Sequence, residues 1–248
     1  MSVSAPSARA TAAIARSPSC DSWASRATHR AAKVPRHGAS DWGIPALSVM
    51  SFKDFSITDV GARLGLVVSE RDLFSQVAPQ PPGTWLTSIL DETLSLALAL
   101  GNEKARSELL IAPVLVEVRR MCAHRVSLFS GVELNVDDAR GLVGVCDFLL
   151  SRSPEQLVLR APVLAVVEAK QENIKGGIGQ CAAEMLAAQL FNVNAGVAVD
   201  AVFGAVTTGD MWRFLKLEGA ALTIDTEQYP IARVEKVLGI LKAIVAPV

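Results

Sequence analysis

From Trp85 to Gly101 the apolar residues recur at steps of three and four. Leu86, Ile89, Leu90, Leu94, Ala97 and Leu98 then share one face, which predicts an amphipathic helix over 85–101 with Gly101 as its C-cap. Asn102 is placed to cap a second helix over 103–122, with Leu109, Leu110, Pro113, Val114, Val116 and Val118 at helical spacing. Pro113 lacks the N–H that a helix interior uses, so this helix should bend. After His124 the period falls to two. Residues 125–136, 141–151 and 162–170 read as three successive strands, and the DDARG turn (137–141) favours a hairpin between the first two. Gly176 and Gly177 open a helix over 178–191, with Ile178, Cys181, Ala182, Met185, Leu186 and Leu190 as its buried stripe. A second strand pair, 199–207 and 211–217, turns at Thr208–Gly209–Asp210. A short strand at 222–224 and an amphipathic helix over 231–245 complete the chain. Residues 54–83 form a loose lead-in with a short strand or helix and the turn-forming PQPPG. From the second helix onward the order is α-β-β-β-α-β-β-α, an α/β class.

Residues 1–49 lack this periodicity. They are rich in Ser, Ala and Arg and cannot bury a core, so they are expected to be a disordered basic tail. Two origins fit: a start codon assigned too early, with Met50 the true beginning, or a targeting segment. Residues 50–248 are then a single α/β domain. No run approaches the roughly 18 apolar residues of a membrane span, so no membrane partner is expected. The four cysteines show no CxxC spacing, and Cys146 and Cys181 sit inside apolar patterns. This points to small core residues in a reducing, cytoplasmic setting.

Histidine narrows the chemistry. Two of the three lie in the tail, leaving only His124, and no GxSxG motif accompanies it. Carboxylates, lysine and amides are left to carry any reaction. Charge is less encouraging for a polyanion partner. Residues 1–49 hold six of the 24 Lys/Arg and two of the 25 Asp/Glu, which leaves 18 basic against 23 acidic residues, a net −5, over 50–248.

The candidate chemistry lies in two strands that carry charges a core does not need. Asp147 interrupts VGVCDFLL, where an unpaired carboxylate is costly. Glu168 and Lys170 close VLAVVEAK, and strand alternation puts both on one face with Leu164 and Val166 behind them. If the strands are neighbours, two close carboxylates repel unless a cation sits between them, and a hard divalent ion takes oxygen ligands of this kind. An ordinary strand-end salt bridge is the alternative for Glu168 and Lys170 taken alone.

The order α-β-β-β-α-β, with an acid on the second strand and an acid-x-Lys triplet on the third, resembles the PD-(D/E)XK nuclease superfamily. Within it the chain is most similar to small proteins related to the N-terminal nuclease domain of type I restriction enzyme motor subunits. The resemblance covers roughly residues 103–217. It implies a restriction-endonuclease-like mixed β-sheet flanked by helices, and Mg²⁺- or Mn²⁺-dependent hydrolysis of phosphodiesters in nucleic acid, DNA in the first place. It implies Asp147 and Glu168 as metal ligands, with the Ala169 carbonyl and Glu108 of the preceding helix joining them. It implies Lys170 at the attacking water and Gln180 holding the lysine or touching substrate. Cys146 stands where the family often has proline. Glu184 and Gln189 read as a solvated helix edge, and Trp212 as core. Arg119, Arg120 and Arg125 fit either a phosphate-facing patch or the usual basic helix end. GGIGQ (176–180) lacks the GxxxxGK[ST] pattern and is no P-loop. Two other readings stay open: an inactive nuclease-like fold used as a binding module, and an assembly subunit, a homodimer for example, docking through its C-terminal helix.

Overall fold

A computed structural model of the chain describes residues 50–246; the predicted tail over 1–49 lies outside the described residues. A short 3₁₀ turn at Phe52–Asp54 leads to α1 (Asp59–Leu64) and β1 (Val67–Arg71). Next come α2 (Thr84–Leu100), α3 (Glu103–Arg106), a π turn at Ser107–Ile111, and α4 (Ala112–Met121). The strands β2 (Ser127–Glu133), β3 (Val145–Ser151) and β4 (Val163–Ala169) precede α5 (Ile174–Asn194). The chain ends with β5 (Val202–Thr207), β6 (Met211–Glu218), β7 (Ala221–Asp225), β8 (Tyr229–Pro230) and α6 (Val234–Val245).

The local signals act as their chemistry requires. Gly101 ends α2 at φ +64° and donates its N–H to the Ala97 carbonyl. Asn102 Oδ1 accepts from the Ala105 N–H at 2.8 Å and starts α3. Pro113 cannot donate to the carbonyl four residues back, that of Leu109. The chain widens into the π turn just before the proline, and Thr93 Oγ1 of α2 donates to that freed carbonyl at 2.8 Å. The expected bend is therefore a π turn locked to a neighbouring helix.

The eight strands form one mixed sheet in the order β1-β7-β6-β5-β4-β3-β2, with β8 added to β6. β2–β3 and β3–β4 are antiparallel, and β4–β5 is parallel with α5 as the crossover. One face is covered by α1 and α5, where Phe52, Phe55, Leu149, Val166 and Met185 pack together. The other is covered by α4 and α6, around Val114, Leu115, Trp212, Phe214 and Leu238. The molecule is thus an α/β fold with a mixed, open eight-stranded sheet between helices. Among the described residues no helix is long and apolar enough to cross a membrane.

Four expectations change. α5 starts at Ile174, not Ile178, because Asn173 Oδ1 caps the Gly176 N–H at 2.9 Å and both glycines lie inside the helix. The predicted face of α2 is only partly used: Leu86 and Ala97 are buried, whereas Leu98 is exposed. Leu164 does not share a face with Val166. A register shift at Leu150/Ser151 turns it toward the α4–α6 side. The apolar face of α6 (Val237, Leu238, Ile240, Leu241, Ile244) is spent inside the chain's own core, so it offers no docking surface.

Candidate active site

β3 and β4 are antiparallel neighbours, and their last paired residues at this end are Phe148 and Val167. Asp147 and Glu168 are the next residue outward on each strand, so the two predicted acids meet at one sheet end. Asp147 Oδ2 accepts the Ala169 N–H at 2.8 Å, which ties β4 to the start of β3. Lys170 follows on the same strand end. Its Nζ lies 2.5 Å from Glu168 Oε1 and donates to Gln180 Oε1 at 3.1 Å. The parallel crossover from β4 to β5 brings the first turns of α5, and with them Gln180, to this end of the sheet.

Two glycines of GGIGQ make that approach close enough. A Cβ on Gly177 would lie 3.0 Å from Lys170 Cγ and 2.7 Å from a Val206 methyl. One on Gly179 would lie 2.2 Å from the Ser56 carbonyl carbon. The glycine run is a packing device between α5, the lysine and the segment before α1.

Glu184 belongs to this group, against the expectation of a solvated edge. It is fully buried, and its Oε1 accepts from Gln180 Nε2 at 3.0 Å. α5 is covered on its outer side by the Phe52–Leu66 segment, so the helix has almost no solvated edge. The signal was a single acid within CAAEMLAA, an interruption of an apolar run like that at Asp147, placed i+4 from Gln180.

Burial and like charge dominate the electrostatics. Burial, and then the neighbouring Asp147, push the Glu168 carboxyl up to about 8, with Lys170 pulling the other way. Burial and Glu168 hold the Glu184 carboxyl well above the usual carboxylate range. For Lys170, burial disfavours the charge, but Glu168, Glu103 and Asp147 outweigh it and hold the ammonium above the ordinary lysine range. Glu168 Oε2 and Glu184 Oε2 are both buried with no N–H or hydroxyl donor, and the two carboxyls lie within hydrogen-bond reach of each other. Cys146 and Cys181, beside these acids, are buried, and their thiols are pushed up by burial.

A cleft of about 270 Å³ opens on Asp147 and Ala169 and is lined further by Glu103, Ser107, Glu108 and Ser130. Glu108 therefore borders the same cleft, but its side chain is 61% exposed and paired with Lys104 at 2.6 Å. Two of the three arginines have other partners, Arg119 at His124 and Arg120 at Glu117, and Arg125 is exposed. Trp212 is buried, as expected of core.

No group of three or more His, Cys, Asp or Glu side chains among the described residues is arranged to hold a metal ion. The donors here are fewer. Lys170 takes one oxygen of Glu168 and the Ala169 N–H takes one of Asp147; the second Asp147 oxygen has no protein partner among the described residues, and the second Glu168 oxygen is buried with only the Glu184 carboxyl within reach. That set fits Mg²⁺, which binds through one or two carboxylates and completes its shell with water and substrate oxygens. Comparison with known proteins gives no match, whether to a family model, a curated protein or a solved structure.

Proposed function

We propose that this chain is a divalent-metal-dependent nuclease with a restriction-endonuclease-like, PD-(D/E)XK-type site, acting on DNA in the first place. The observation that carries the reading is the meeting of Asp147, Glu168, Lys170 and Gln180 at one end of β3, β4 and α5, next to an open cleft. Asp147 and Glu168 would hold Mg²⁺ or Mn²⁺, with the Ala169 carbonyl at the same strand end and Glu108 at the cleft rim. The bound ion would supply Lewis-acid stabilisation to the phosphoryl oxygens. A cation would also relieve the repulsion that holds the Glu168 carboxyl up.

In the hydrolysis, a water oxygen bonds to phosphorus and the phosphorus–oxygen bond to one sugar breaks. The proton lost by the water balances the proton gained by the leaving alkoxide. Lys170 keeps its proton at neutral pH, so it serves as a donor that orients the water and offsets phosphoryl charge, not as a base. Gln180 accepts a second hydrogen bond from that ammonium, in addition to the one to Glu168. A second cleft, of about 400 Å³, is lined by Gln171, Glu172, Lys175 and the Arg106–Asp210 ion pair, so Lys175 is the cation it offers to a flanking phosphate. The net −5 over residues 50–248 predicts weak, salt-sensitive binding of polyanions outside this local patch.

The test is cleavage of plasmid and single-stranded DNA with Mg²⁺ or Mn²⁺ by the wild type, Lys170→Ala and Asp147→Ala. Loss of cleavage in both variants supports the site. Cleavage that both variants retain in full rejects it. A folded wild type that cuts neither DNA would favour the same fold used as a binding module.

A further inference from the structure

We infer that Glu184 is a positioning residue for Lys170, acting through the amide of Gln180. The catalytic effect of this role depends on the nuclease reading; the side-chain arrangement does not. Four side chains in series carry it. Glu168 Oε1 and Gln180 Oε1 both hold the Lys170 ammonium, at 2.5 and 3.1 Å. Gln180 Nε2 then donates to Glu184 Oε1 at 3.0 Å.

A glutamine amide has two orientations that fill the same space, with its oxygen and nitrogen exchanged. In one, the oxygen faces Lys170 and accepts. In the other, the NH₂ faces an ammonium that has only donors, and nothing holds the lysine from that side. Lys170 itself favours the first orientation, and Glu184 anchors it from the other end of the amide. Glu184 Oε1 accepts from the Gln180 NH₂, and so keeps the amide oxygen toward Lys170. The spacing is what a helix provides, because residues four apart lie one above the other.

Stability gives no reason for an acid at this position. Glu184 is fully buried, its Oε2 meets no N–H or hydroxyl donor, the Glu168 carboxyl lies within hydrogen-bond reach, and its helix neighbours Cys181, Ala183, Met185 and Ala187 are buried and apolar. A buried carboxyl with an oxygen that lacks such a donor costs stability that a leucine would not. A group kept at such a cost, one link from the lysine of the site, has a role there.

The experiment compares Glu184→Leu, which removes the acceptor, with Glu184→Gln, which keeps an oxygen of the same reach. Gln180→Leu, which breaks the link from the other side, and the double variant Gln180→Leu/Glu184→Leu complete the set. Three quantities are read on the full chain: thermal stability, kcat and KM for DNA cleavage, and the NMR shifts of the two Lys170 Hε protons, which separate when the ammonium is held. Glu184→Leu should melt higher, lose about tenfold to a hundredfold in kcat with KM within about twofold, and bring the Hε shifts together. Glu184→Gln should stay within about threefold of wild-type kcat on the same scale. The double variant should lose no more than Gln180→Leu alone. A Glu184→Leu protein with wild-type kcat and unchanged Hε shifts overturns the role, as do additive losses in the double variant. If Glu184→Leu does not fold, an unchanged Lys170 signal in Gln180→Leu overturns it equally. A wild type without cleavage whose Hε shifts still respond removes the nuclease reading and leaves the positioning role standing.

Discussion

Two buried acid sites in this protein are built in opposite ways. At the end of β7, Asp225 is fully buried and satisfied: Tyr229 Oη donates to its Oδ2 at 2.9 Å, and the Leu73 and Glu227 N–H groups reach its Oδ1 at 3.4 and 3.2 Å. At the end of β4 and the middle of α5, Glu168 and Glu184 are equally buried, yet each keeps an oxygen that meets no N–H or hydroxyl donor, only the other's carboxyl. The first acid braces three backbone segments, and burial together with its hydrogen bond pushes the Tyr229 hydroxyl up. The second pair sets carboxyl against carboxyl, with Glu168 on the Lys170 ammonium and Glu184 on the Gln180 amide. A satisfied buried acid reads as structure. Acids without a donor, one of them on a held ammonium, mark a candidate functional site.

The contrast predicts opposite responses to substitution. The largest stability effect is expected at the satisfied acid. Asp225→Leu leaves a hydroxyl and two N–H groups without partners and should cost about 3 kcal/mol in chemical denaturation. A loss under about 1 kcal/mol would remove its bracing role. The largest activity effect falls at the other site, where Lys170→Ala should lower cleavage about a hundredfold with little change in melting temperature. Comparable activity in that variant would leave the lysine as a salt-bridge partner only.

A smaller effect is expected with pH. The Glu168 carboxyl, held up to about 8 by burial and Asp147, keeps its proton in the folded chain at pH values where the unfolded chain has lost it. Its contribution to stability is therefore full below the ordinary glutamate value and is lost as pH rises toward 8. The metal-free protein should melt lower at pH 8 than at pH 5, and Glu168→Gln should flatten that slope; a parallel slope in the variant would place the effect elsewhere. The smallest change is expected at Glu108. Its exposed pairing with Lys104 contributes little, and Glu108→Ala should keep cleavage within about twofold if it stands only at the rim. A tenfold loss would bring it into the metal shell.

Much of this was legible in the residues. Period-two and period-3.6 patterns located β3, β4 and the helices, and Asp147 stood out because it breaks an apolar run at a strand start. Glu184 gives the same kind of signal inside α5, but helical periodicity assigns one buried face and one wet one and puts this acid on the wet one. The Phe52–Leu66 segment buries the second face, and that packing depends on Gly179 meeting Ser56, a long-range contact with no local pattern. The shifted start of α5 has a similar origin: glycines that read as a break are in the helix to admit Lys170 and the lead-in segment. The register shift that turns Leu164 away from Val166 belongs to strand pairing, and alternation within one strand does not carry it.

The central claim is that Asp147 and Glu168 form a divalent-metal site beside Lys170. Calorimetric titration of the metal-free protein with Mn²⁺ tests it most directly, with Asp147→Asn and Glu168→Gln as partners in the comparison. The account predicts saturable binding at millimolar Mn²⁺ or below in the wild type, and its loss in both variants while each remains folded. A folded wild type that takes up no Mn²⁺, or variants that bind it as well as the wild type does, would contradict it.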